Sequence, residues 1–117
     1  MLTIGAQRNV KSDRWVFTWN NYQNVDNWKS VLTDFFSKVN AIYYIYGFEK
    51  APETGTPHLQ GYFRTKSKLY RATIRSYNLP VWIDAAKGSE NECIDYCAKG
   101  GDYIEWGNLK SRSRMKA

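Results

Sequence analysis

Two runs, Ala41-Ile-Tyr-Tyr-Ile-Tyr-Gly-Phe-Glu49 and His58-Leu-Gln-Gly-Tyr-Phe-Arg-Thr65, decide the fold together with the loop Ala51–Pro57 between them. Both runs are rich in β-branched and aromatic residues, which suit a pleated, partly buried surface. The intervening stretch holds Pro52, Gly55 and Pro57, residues that break regular structure and turn the chain. The pair therefore reads as a β-hairpin, the second and third strands of a sheet.

Working outward toward the N-terminus, Trp28, Val31, Leu32, Phe35, Phe36 and Val39 recur at helical spacing with polar residues between them, the clearest helix signal in the chain. Before it, Arg14-Trp-Val-Phe-Thr-Trp-Asn20 reads as a first strand. Toward the C-terminus, Leu69, Ala72, Ile74 and Tyr77 predict a second helix over Lys66–Tyr77, and Val81–Ala85 a short strand after Pro80. Ser89 with Glu92 three residues on has the spacing of a capping box, opening a third helix that runs to Lys99 and stops at Gly100-Gly101. Asp102–Trp106 is a last strand.

The order β-α-β-β-α-β-α-β predicts an α+β fold, a ferredoxin-like or RRM-like sandwich. Its central antiparallel sheet would carry helices on one face and the active site on the open face. Residues 1–13 read as a flexible basic arm, 14–107 as the domain, and 108–117 as a basic tail.

The chain has 117 residues, 43% of them hydrophobic and 16% aromatic, enough for one compact core. No apolar run has the length of a membrane span, and Met1–Lys11 lacks the apolar core of a secretory leader. Seventeen Lys and Arg against eleven Asp and Glu leave a net charge of +6, which favours polyanions because bound phosphates release condensed counterions. Cys93 and Cys97 are one helical turn apart, poor geometry for a disulfide, and read as buried free thiols. A structural zinc site would need both thiolates, His58 (the single histidine) and a carboxylate.

On the third strand His58 and Gln60 leave the same face. Glu49 ends the second strand, so antiparallel pairing brings it near both. A carboxylate, an imidazole and an amide oxygen form a mixed set suited to Mn²⁺ or Mg²⁺. The same spacing also fits a plain polar hairpin edge. On the third helix Tyr96 and Lys99 share a face. A phenol ionises near a pH of about 10 and needs help to act as a nucleophile, which a cation one turn away could give. On spacing alone, a buried tyrosine beside a solvated lysine is the simpler reading.

Taken in order, Trp15-Val-Phe-Thr-Trp-Asn-Asn21, Pro57-His-Leu-Gln-Gly-Tyr62 and Tyr96-Cys-Ala-Lys99 resemble the three motifs of HUH endonucleases. The resemblance is to the replication initiators (Rep) of circovirus-type single-stranded DNA viruses, and Ala86-Lys-Gly-Ser89 and Tyr103–Gly107 extend it over residues 14–107. It implies a single-tyrosine enzyme that nicks and joins single-stranded DNA at a viral origin, such as a stem-loop, to start and end rolling-circle replication. Tyr96 would be the nucleophile with Lys99 as its helper, and Glu49, His58 and Gln60 would hold Mn²⁺ or Mg²⁺. Thr18 and Asn20 would contribute to origin recognition, and Arg8, Lys11, Arg14, Arg64, Lys66, Lys68 and Arg71 would line the DNA path. It further implies host replication proteins as partners, the host nucleus as the location, a monomeric isolated domain, and a helicase domain following the tail in the full-length protein.

Two departures stand out. Gln60 replaces the second histidine of the family name, and Gly100 stands where many relatives carry an acidic residue. A fourth metal donor would have to come from Asp84, Glu92 or water, with Glu92 already suited to the helix cap. The competing readings are a non-catalytic single-stranded nucleic-acid-binding module and a zinc-dependent structural domain.

Overall fold

The computed structural model describes residues 10–109. Five strands and three α-helices follow in the order β1 (Lys11–Asn20), α1 (Trp28–Lys38), β2 (Ala41–Lys50), β3 (Pro57–Tyr70), α2 (Arg71–Ser76), β4 (Trp82–Ala85), α3 (Glu90–Ala98) and β5 (Tyr103–Gly107), with a 3₁₀ turn at Tyr22–Asn24. The sheet order is β4-β1-β3-β2-β5, and every neighbouring pair is antiparallel. Strands β1 to β4 with α1 and α2 form the ferredoxin-like β-α-β-β-α-β unit, and α3 with β5 extends it by one edge strand.

One face of the sheet is covered as the sequence predicts. Trp15, Phe17 and Trp19 of β1, Tyr46 of β2, and Leu59 and Phe63 of β3 pack against Leu32, Phe35 and Phe36 of α1 and Ile74 of α2. Phe36 stacks on Tyr44 with ring centroids 4.0 Å apart, so burial and ring geometry act together here.

The second face is not open throughout, which corrects the expectation of helices on one face only. Helix α3 lies across it, burying Ile94 and Cys97 on Tyr43, Ile45 and Tyr62. Strand β2 is therefore apolar on both faces over Tyr43–Tyr46, and one helix layer takes up each parity. A capping box starts α3: the Glu92 amide donates to Ser89 Oγ at 3.1 Å, and the Ser89 amide to Glu92 Oε1 at 2.9 Å.

Two boundaries also move. The helix expected over Lys66–Tyr77 is only Arg71–Ser76, because β3 continues to Tyr70. Beyond a bulge, Leu69 and Tyr70 pair with Ser12 and Lys11, so residues 11–13 of the expected arm belong to β1. Arg8 and the tail from residue 110 lie outside the described residues. Among the described residues no helix is long and apolar enough to cross a membrane.

Candidate active site

Strand register arranges the second face in transverse rows. The first row is Glu49–His58–Asn20, and the next is Tyr103–Gly47–Gln60–Thr18–Trp82. Ile45–Tyr62–Val16 and then Tyr43–Arg64–Arg14 follow beneath α3. The uncovered end of the face thus carries Glu49, His58, Asn20, Gln60 and Thr18, and the covered end the apolar row of Ile45, Tyr62 and Val16 with Tyr43 and two arginines beyond it.

Helix α3 carries Tyr96 and Lys99 to that border. Gly47 lets it close onto β2: a Cβ there would lie 2.1 Å from the carbonyl oxygen of Cys97. At its N-terminal end, Tyr62 Oη donates to Glu90 at 2.6 Å and Arg64 Nη1 donates to the same carboxylate at 3.1 Å. Arg14 Nη1 donates to the Gly88 carbonyl at 2.8 Å, holding the loop that leads into the helix.

The face then presents Tyr96 with its side toward solvent, 54% exposed. Lys99 Nζ lies 3.9 Å from the centre of the Tyr96 ring and donates to Glu49 Oε2 at 2.6 Å. The other oxygen of Glu49 faces His58 Nε2 at 3.3 Å, and both side chains are largely buried. Gln60 Nε2 reaches the Phe17 carbonyl at 3.5 Å, and its Oε1 is 3.4 Å from Thr18 Oγ1. A trough of about 250 Å³ between α3 and the sheet is lined by Val16, Gln60, Cys93 and Tyr96 among others. Tyr96, Lys99, Glu49, His58 and Gln60 therefore share one corner of the molecule, and Thr18 and Asn20 lie beside it on β1.

The basic residues divide. Arg14 and Arg64 are engaged under α3 as described, Arg64 also lying 3.7 Å from Asp13, and Arg71 pairs with Asp84 at 2.7 Å. These three brace the fold. Lys66 and Lys68 are exposed on the extension of β3, and Lys11 sits over the Tyr70 ring at 4.9 Å. Of the candidate fourth donors, Asp84 is held by Arg71 and Glu92 by the cap.

Among the described residues no three of the His, Cys, Asp and Glu side chains gather as a metal group, so the arrangement of Cys93, Cys97 and His58 required for a structural zinc does not form. Burial under α3 instead pushes the Cys97 thiol up to about 12 and raises Cys93 as well. A metal at the polar corner would have to draw on the Gln60 amide oxygen beside Glu49 and His58. Two exposed rings in the second row, Trp82 and Tyr103, were missed by the sequence reading. The signal was present: Val81 and Ile83 both pack on the core, which turns Trp82 to the opposite face.

Residues 12–100 match the family described as "Putative viral replication protein". The chain is 35% identical over 102 residues to the replication-associated protein of Human associated cyclovirus 1, covering 86% of this chain and 35% of that protein. It is 35% identical over 109 residues to the goose circovirus protein of the same name (90% and 36% covered), and 39% identical over 93 residues to that of beak and feather disease virus (78% and 30%). The chain thus spans about a third of the length of these relatives.

Proposed function

Because this chain belongs to the viral replication protein family, we propose that it nicks and rejoins single-stranded DNA at a viral origin, with Tyr96 as the nucleophile. The observation that carries the reading is the position of Lys99, whose ammonium lies against both the Tyr96 ring and the Glu49 carboxylate. A cation held there by an anion stabilises negative charge on the phenol and attracts a phosphate.

The chemistry assigns one role to each residue. Tyr96 Oη attacks phosphorus, the bond from phosphorus to the 3′ oxygen breaks, and a 5′-phosphotyrosine forms. The proton lost by the phenol balances the one gained by the departing 3′-hydroxyl. Attack by another 3′-hydroxyl on the phosphotyrosine reverses these changes and releases Tyr96, so rejoining needs no nucleotide cofactor. Glu49, His58 and Gln60 would hold Mn²⁺ or Mg²⁺, which supplies Lewis-acid stabilisation of the phosphate when bound. The donors suit such an ion: a carboxylate and an imidazole 3.3 Å apart, with an amide oxygen next along the same strand face. Thr18 positions Gln60, and Asn20 flanks His58 from β1. The reading also implies host replication proteins to extend the 3′-hydroxyl, and the host nucleus as the place of action.

The test incubates the protein with a stem-loop oligonucleotide carrying a candidate origin and Mn²⁺. A metal-dependent covalent adduct on the 5′ end of the downstream fragment is expected. Tyr96→Phe should abolish the adduct and retain binding, and His58→Ala should lose the adduct together with Mn²⁺ affinity measured by calorimetry. Adduct formation by Tyr96→Phe would overturn the nucleophile, and binding by the wild type with no adduct would select the non-catalytic module.

A further inference from the structure

Trp82 is the most exposed large hydrophobic side chain among the described residues, at 58%, and it lies in the same row as Thr18 and Gln60. It opens the edge strand β4, where Val81 and Ile83 face the core and leave the indole on the face that carries Tyr96. Two strand spacings, about 10 Å, separate Trp82 from Gln60, which lines the trough beside Tyr96, with Thr18 between them. The trough beside Tyr96 has α3 as one wall and Val16 of β1 with Gln60 of β3 as the other, and β4 is the next strand beyond β1. Asp84, one row further along β4, is neutralised by Arg71 at 2.7 Å, so this strand carries no uncompensated acid.

Resting on the proposed function, we propose that Trp82 is a stacking platform for one nucleobase of the single strand whose phosphate is presented to Tyr96. The exposed indole is accessible to a base, and a base offers it a π-face whatever its identity. The net charge of +6 favours the polyanion over an apolar protein partner. The indole fixes where the strand lies across the sheet, and Tyr96 acts on the backbone it delivers. Trp106, similarly exposed, stacks on Tyr44 on the far side of the sheet and takes no part.

The test uses fluorescence anisotropy in a Tyr96→Phe background, so that binding is read without cleavage. The probe is a labelled oligothymidylate of about twelve nucleotides, a length within the range for single-strand sites. Trp82→Ala should weaken binding about tenfold, and Trp82→Phe should recover much of the loss. The slope of log Kd against log salt should not change, since no phosphate contact is removed. On the same oligonucleotide made fully abasic, Trp82→Ala and its parent should bind alike. Equal affinities on oligothymidylate, or the same loss on the abasic strand, would overturn the stacking role. The wild-type adduct assay reports separately: a normal adduct with Trp82-independent binding rejects only this inference, and Trp82-dependent binding with no adduct rejects only the nuclease reading.

Discussion

Gly47→Ala is a one-carbon change that should slow the chemistry without touching any reacting group. The new Cβ would sit 2.1 Å from the Cys97 carbonyl oxygen, whereas ordinary contacts begin at 3.4 Å. Relief requires the last turn of α3 to lift by about 1.3 Å, since the obstacle is backbone and the strand beneath is paired on both sides in the sheet. Cys97 follows Tyr96 directly and precedes Lys99 by two residues, so both move with it. A misplacement of about 1 Å at a reacting group can cost about 100-fold in rate. Overpacking of this kind also costs about 1–3 kcal/mol, which urea unfolding would register independently. Single-turnover adduct formation on a stem-loop oligonucleotide with saturating Mn²⁺ is the assay, at a urea-free temperature where the variant is folded. The expected result is a rate lower by about two orders of magnitude with binding to DNA little changed. Gly100→Ala is the control, because a Cβ at Gly100 meets nothing within 4 Å and should leave the rate alone. A wild-type rate for Gly47→Ala would refute the claim that the seat of α3 on β2 places Tyr96.

Three further outcomes follow from the packing of α3 and its surroundings. Glu90→Ala removes the acceptor of Tyr62 Oη and of Arg64 and should destabilise the fold by about 2 kcal/mol, measured as a fall in the urea midpoint at constant m-value. Ser89→Ala deletes the capping-box hydroxyl and should cost about 1 kcal/mol, seen as a lower Tm. Alkaline pH should weaken the protein: burial pushes Tyr46 and Cys97 up to about 12 and raises Tyr62 further, while their ordinary values are 10.0 for tyrosine and 9.0 for cysteine. The unfolded chain then holds fewer protons, so stability is full below about pH 9 and falls as pH rises toward 12, at up to about 1.4 kcal/mol per unit for each group; urea curves that do not change between pH 8 and 11 would contradict it.

Local patterning was legible where it coincided with tertiary contacts. The spacing of Trp28 to Val39 gave α1 because its apolar stripe is also its buried stripe, and Ser89 with Glu92 gave the start of α3 because a cap is a local interaction. Lys66–Tyr70 misled for the opposite reason. Its partner is Lys11–Ser12, more than fifty residues earlier, and that pairing rather than any helical period fixes its conformation. Reading residues 1–13 as an arm removed the partner, so both boundaries failed together. The same long-range effect hid the two-sided burial of β2. Tyr43 and Ile45 are apolar on the face that also carries Glu49, a pattern that calls for a cover on each side.

The candidate site was legible in its membership but not in its support. Period-two alternation alone sends Glu49, His58, Gln60, Thr18 and Asn20 to one face, and antiparallel register brings them into adjacent rows. Nothing in that argument says where Tyr96 lies, because a helix can be laid on either face of a sheet. What decides it is the apolar half of the same face. Ile94 and Cys97 must be buried, Tyr43, Ile45 and Tyr62 need covering, and Gly47 marks where the helix can touch down. The covered rows thereby carry Tyr96 and Lys99 to the edge of the polar ones, and Arg14 and Arg64, two of the basic residues expected along the DNA path, bond to the loop before that helix and to its first turn. Stability and chemistry meet at the row of Gly47 and Gln60: a substitution that loosens the apolar half should cost activity before it costs folding.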